Sequence, residues 1–197
     1  MPVLLRWCAA GVRSGLLSLL VAILALGVHA GSTAGARPSL LTYTSTLYLY
    51  SLSYPATWKL DTHVNSAAVL GKAEAAISPA ALRLMAPDGE AVITVLVKQG
   101  PTTTAAIKAE EAVLLREHAT LVGKISFDTR TIRGLVFCSA DATENVSNKG
   151  QVERVIFATS HGHFTYYFAG ELMLKQKDST VRGNELVSIF NSIRLTQ

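Results

Sequence analysis

An α+β fold, with helices laid on antiparallel strands, is what this sequence predicts, and three observations carry it. Short strand-like runs separated by tight turns fill much of the chain. Pro87-Asp88-Gly89 sits between two apolar runs as a hairpin turn. Two segments, 105–118 and 180–193, carry apolar residues at helical spacing. Strands joined by such short links pair antiparallel. Strands grouped together and interrupted by single helices argue for α+β rather than alternating βα units.

The chain opens with an address. Arg6 and Arg13 are the only charges before Arg37, and an apolar stretch, Gly15 to Val28, runs up to Val28-His29-Ala30. A positive start, an apolar core and small residues at the end form the pattern of a secretory signal peptide. The core is shorter than the roughly 18 to 20 residues that span a bilayer. Residues 1–30 are therefore expected to be removed, with Ala34-Gly35-Ala36 as a second cleavage position. The competing reading, an uncleaved anchor, is the only membrane contact foreseen. Residues 31–45 read as a flexible leader and 46–197 as one domain, secreted or held in the cell envelope. That length suffices for a buried core.

The formal net charge of +4 falls when Arg6 and Arg13 leave, and the remaining charges are dispersed. A nucleic-acid binder needs a concentrated basic face, so no nucleic-acid partner is expected. Cys8 lies in the leader, which leaves Cys138 alone and excludes a disulfide scaffold. Cys138, within Leu135-Val136-Phe137-Cys138, reads as a small buried hydrophobe.

Thr46 to Tyr54 alternates in strand fashion, Pro55-Ala56 breaks the run, and Trp58-Lys59-Leu60 resumes it. Residues 65–80 are Ala-rich and ambiguous between helix and loop. Ala81–Ala86 and Glu90–Lys98 flank the Pro-Asp-Gly turn, where Pro presets φ and Gly accepts positive φ. Gly100-Pro101 closes the second strand, and Thr102 to Thr104 offer N-cap hydroxyls for a helix over Ala105–His118. Further strands are expected within 121–133, at 134–142, at 151–159 and at 164–169, the last two joined by a turn at His161-Gly162. The final helix runs to Ile193, with Leu186, Ile189, Phe190 and Ile193 on one side.

Tyr50-Ser51-Leu52-Ser53-Tyr54-Pro55 followed by Trp58 resembles the opening of the PsbP-like family. The hairpin at His161-Gly162 with Tyr166-Tyr167, and the ending Ile189-Phe190-Asn191-Ser192-Ile193-Arg194-Leu195, agree with it. Ile193 departs from that family's usual Ser-Phe-Arg-Phe ending, keeping bulk and losing the ring. The resemblance implies an α/β/α sandwich with a central antiparallel sheet and an accessory or binding role.

Reaction chemistry is sparse. His161-Gly162-His163 offers two imidazoles to a metal, fewer than the three or four that protein zinc sites use. Ser160-His161 is an adjacency in a turn, and no Gly-x-Ser-x-Gly elbow is present. Glu110 and Glu111 are consecutive helix residues that point different ways and read as solvated, as do Asp141 and Glu144. No catalytic residue and no cofactor is assigned. The aromatic residues around Tyr50, Trp58 and Tyr167 are the candidate ligand-binding positions, in a groove for a small apolar ligand or a peptide. The leading expectation is a non-catalytic exported accessory or binding protein with an unknown protein or small apolar partner. The alternatives are a lipid or small-ligand carrier and a hydrolase whose Ser, His and acid come from separate strands.

Overall fold

Residues 164–173, Phe-Thr-Tyr-Tyr-Phe-Ala-Gly-Glu-Leu-Met, are apolar on both parities, and a strand of that kind has to be covered on both faces. In the computed structural model, which describes residues 39–64, 76–77, 81–116, 120–146, 150–174 and 176–196, it is the central strand. The strands are β1 (Leu40–Ser45), β2 (Tyr50–Pro55), β3 (Lys59–Val64), β4 (Ala81–Met85), β5 (Ala91–Gln99), β6 (Thr120–Leu121), β7 (Ser126–Ile132), β8 (Leu135–Val146), β9 (Gly150–His161), β10 (Phe164–Met173) and β11 (Arg194–Leu195). Helix α1 (Thr104–Arg116) follows β5, and α2 (Ser179–Ser192) follows β10.

The main sheet runs β3-β4-β5-β10-β9-β8-β6, with β7 also paired along β8; β1-β2-β11 form a smaller sheet. Every pairing among the described residues is antiparallel. Successive residues of β10 serve opposite layers. Tyr167 and Ala169 join Leu96, Cys138, Ala140, Ile156 and Ala158 beneath Ile107, Leu114 and Leu115 of α1. On the other face Tyr166 and Phe168 meet Tyr50 of β2, and Phe157 of β9 packs on Phe190 of α2 with ring centroids 4.8 Å apart. This is the α+β sandwich that the sequence predicts. No helix among the described residues is long and apolar enough to cross a membrane.

Helix α2 is held by a chain of polar contacts as well as by its apolar side. Arg182 sits 2.5 Å from Asp88 of the β4–β5 turn and 2.7 Å from Glu185. Glu185 in turn accepts the indole N–H of Trp58 at 3.0 Å. At its other end, Ser192 Oγ accepts the Ser53 N–H of β2 at 2.7 Å.

Several local expectations change. The strand expected over Thr46–Tyr54 begins later, because Thr46–Leu49 form a turn and β2 starts at Tyr50; Leu40–Ser45, assigned by the sequence to the leader, form β1 beside it. Strand β8 continues through Asp141 and Glu144, which the sequence places at a turn, and Glu144 is fully buried beside Arg154. Glu111 is not solvated either, since it shares the inward side of α1 with Ile107, Leu114 and Leu115. The alanines of α1 fall on its outer, less buried sides. Residues 65–75 and 78–80, like the signal segment, lie outside the described residues.

The Phe190 ring of α2 lies close over Gly170 of β10. A Cβ there would lie 2.8 Å from Phe190 Cζ and 3.4 Å from Val155 Cγ1. Gly170→Ala is expected to destabilise the fold by about 1–3 kcal/mol, measured by urea unfolding. Shrinking the opposing ring with Phe190→Leu should make the same alanine less costly.

Candidate functional site

Two hairpin turns and one loop meet at the end of β10 where that strand begins. The β9–β10 turn is tight because Gly162 takes φ +58, and it carries His161 and His163. Its return residue, Phe164, meets the ring of Tyr48 edge-on at 5.8 Å, which brings the β1–β2 turn alongside. The β5–α1 loop joins them where the Gly100 N–H donates to the His163 carbonyl at 2.8 Å.

Below the surface this junction is tied by hydroxyls. Ser160 Oγ accepts the Thr102 N–H at 2.8 Å and lies 2.7 Å from Thr165 Oγ1. Thr165 Oγ1 is 2.9 Å from the Gly100 carbonyl and 3.0 Å from Thr102 Oγ1. These bonds fix the loop to both strands of the hairpin, and they engage Ser160 with threonines rather than with His161.

The β1–β2 turn is held from three directions. Tyr48 N–H donates to Ser45 Oγ at 3.1 Å, the Tyr48 carbonyl accepts the Tyr166 hydroxyl at 2.9 Å, and the Leu49 carbonyl accepts the Thr196 N–H at 2.9 Å. Leu49 itself sits at φ +53, a left-handed conformation that costs a non-glycine residue on the order of 1–2 kcal/mol. The turn thereby presents Leu47, whose surface is 71% exposed, the largest exposure of any bulky apolar side chain among the described residues.

The predicted ligand positions are distributed differently. Tyr50 is buried among Tyr43, Tyr166 and Phe168. Burial, reinforced by the neighbouring tyrosines, pushes its hydroxyl far above the ordinary phenol range. Trp58 is buried against Glu185 of α2. Tyr167 is buried on the opposite face, where its hydroxyl donates to Glu110, and burial likewise pushes that hydroxyl up. The three do not share a surface. His161 and His163 do lie at the hairpin end, His163 exposed and His161 partly so. No group of three or more His, Cys, Asp or Glu among the described residues is placed to hold a metal ion. The side chain of His63 and all of His118 fall outside those residues.

The exposure of Leu47 on a turn carries no signal in the sequence, since Thr-Leu-Tyr-Leu-Tyr has the alternation of a strand. A polar seam beneath α1 is equally hidden there. Arg154 reaches Glu171 at 2.5 Å, Glu144 at 3.9 Å and the Leu114 carbonyl at 3.4 Å. Glu110 binds Lys98 at 2.5 Å. Glu111, 0% exposed, has no hydrogen-bond partner for either carboxyl oxygen. Burial, only partly offset by Lys108, pushes its pKa to about 8. Its helical spacing from Ile107 and Leu115, one turn away on either side, is the readable signal that it faces inward. Cys138 lies in the same layer, and burial together with Glu111 raises its thiol, the opposite of what a nucleophile needs.

No family model matches this chain, and no curated protein matches it. Among solved structures it is similar to cyanobacterial PsbP (CyanoP) from Synechocystis sp. PCC 6803, at 15% identity and a TM-score of 0.55. That likeness covers 84% of this chain and 98% of the other. A second structure, from Bacteroides thetaiotaomicron VPI-5482, is 11% identical over 79% of this chain and 48% of its own, with a TM-score of 0.39. The first likeness shows that the chain has a PsbP-like fold.

Glu111 leads to a pH dependence of definite sign. Its folded pKa of about 8 lies above the ordinary 4.5, so its contribution is full below pH 4.5 and is lost as pH rises through 8. Glu153, raised to about 7 by burial and by Asp141, adds a loss of the same sign that ends nearer neutrality. Melting temperature should therefore fall across this range. In Glu111→Gln the fall should be shallower and should stop near pH 7.

Proposed function

We propose that this chain is an exported, non-catalytic binding module that docks a protein partner through the hairpin end of its sandwich. One observation carries the reading: Leu47 projects from a turn whose main chain is strained at Leu49 and bonded on three sides. Beside it Tyr48, Phe164, His161 and His163 supply aromatic and imidazole surface, which suits an apolar or aromatic anchor on the partner. The signal-like opening of the sequence and the fold shared with CyanoP support an extracytoplasmic accessory role. The carrier alternative asks for an open aromatic groove, whereas the interior around Tyr50 is filled by the rings of Tyr43, Tyr166 and Phe168.

A photo-crosslinking residue at position 47, with the same residue at exposed Val181 of α2 as control, tests the docking surface in cells of the native host. A defined protein adduct should form from position 47 and not from 181. A charge in an apolar contact costs more than ~1.4 kcal/mol, so Leu47→Asp should cut co-isolation of that protein at least tenfold while leaving the melting temperature unchanged. Equal adducts at both positions, or none at 47, would contradict the assignment.

A further inference from the structure

The main sheet ends along β8 with β7, and among the described residues the outer edge of β7 has no strand partner. The main chain of that edge faces outward: the Thr129 N–H is turned away from β8 and is held by the carboxylate of Asp128 at 2.7 Å, a bond that pairing would exchange for one to the incoming strand. Because main-chain groups alternate in direction along a strand, Phe127, Thr129 and Thr131 all present theirs outward. Phe127 lies on the same edge with 42% of its surface exposed.

The charges of the strand select a register. In the run Ser126-Phe127-Asp128-Thr129-Arg130-Thr131-Ile132, Thr129 is flanked by one acid and one base. An antiparallel copy centred on Thr129 sets Asp128 of each chain opposite Arg130 of the other, Phe127 opposite Thr131 and Ser126 opposite Ile132. Opposite charges placed directly across a ladder attract, and like charges repel. Moving the axis one residue either way would oppose Asp128 to Asp128 or Arg130 to Arg130. Within each chain Arg130 already lies 3.4 Å from its own Asp128, so pairing adds a second cation to each carboxylate. The other edges lack these features: β3 carries a register break between Asp61 and Val64, and β1 carries no charge.

We propose that β7 is a self-association edge, at which a second copy of this chain pairs antiparallel about Thr129 and continues the sheet across a two-fold axis. Such an interface is isologous, so it closes at the dimer. The pairing edge is on β7, whereas Leu47, His161 and His163 lie on the β1–β2 and β9–β10 turns.

Sedimentation velocity of the full chain, as produced and processed by the expressing cell, tests this across a concentration series. A monomer–dimer equilibrium is expected. Arg130→Asp turns two attractive oppositions into repulsive ones and should weaken association roughly 10- to 100-fold. The double variant Asp128→Arg/Arg130→Asp restores opposition across the axis and should bring the dimer back. Thr129→Pro, which removes an N–H that the β8 ladder does not use, should abolish it. A monomer at all concentrations would overturn the proposal, as would a dimer indifferent to Arg130→Asp or a double variant no better than the single one.

Discussion

Tyr166 and Tyr167 are adjacent on a strand that is covered on both faces, and the rest of the arrangement depends on how their two hydroxyls are satisfied. Both residues are fully buried and their rings point to opposite layers. A buried hydroxyl left without a partner costs roughly 1–3 kcal/mol, so each layer has to bring an acceptor to a fixed position. On one side the acceptor is the carbonyl of Tyr48, which fixes the β1–β2 turn. On the other it is the carboxylate of Glu110, which fixes the rotation of α1.

That second requirement explains what is unusual beneath α1. With Glu110 aimed at Tyr167, the helical step of about 100° per residue carries Glu111 inward to the row of Ile107, Leu114 and Leu115. A carboxyl in that position is tolerated as the neutral acid, and it ties the seating of α1 to proton concentration. At the hairpin end, by contrast, the strain at Leu49 is offset by the bonds that Tyr48 and Leu49 make to β10 and to the chain beyond β11. The same central strand therefore sets an acceptor in each layer, Glu110 beneath α1 and the Tyr48 carbonyl at the hairpin end.

The fold is largely legible in the sequence because its signals are local. Pro87-Asp88-Gly89 and His161-Gly162 turn where turn chemistry says they should, and Leu186, Ile189 and Phe190 line the buried side of α2. The resemblance of Tyr50–Pro55 and Trp58 to a known opening rests on packing residues, and Tyr50, Leu52, Tyr54 and Trp58 are indeed buried. The candidate site is less legible. A run such as Thr-Leu-Tyr-Leu-Tyr-Ser-Leu reads as one strand until long-range bonds from Tyr166 and Thr196 impose a turn inside it. Glu144 reads as a surface charge because its pairing with Arg154 crosses from β8 to β9, beyond the reach of periodicity. The histidines of the turn are visible, but Phe164–Tyr48, the contact that gives them neighbours, joins elements more than a hundred residues apart.

Residue-resolved hydrogen exchange on the wild-type chain and on Tyr166→Phe asks whether a single hydroxyl holds the hairpin end. Loss of a bond worth about 1 kcal/mol should lower protection of the Tyr48 and Thr196 amides about fivefold, with the amides of α1 unchanged. Unchanged protection at those two amides, or an equal loss throughout α1, would contradict the central strand's role as the element that fixes both layers.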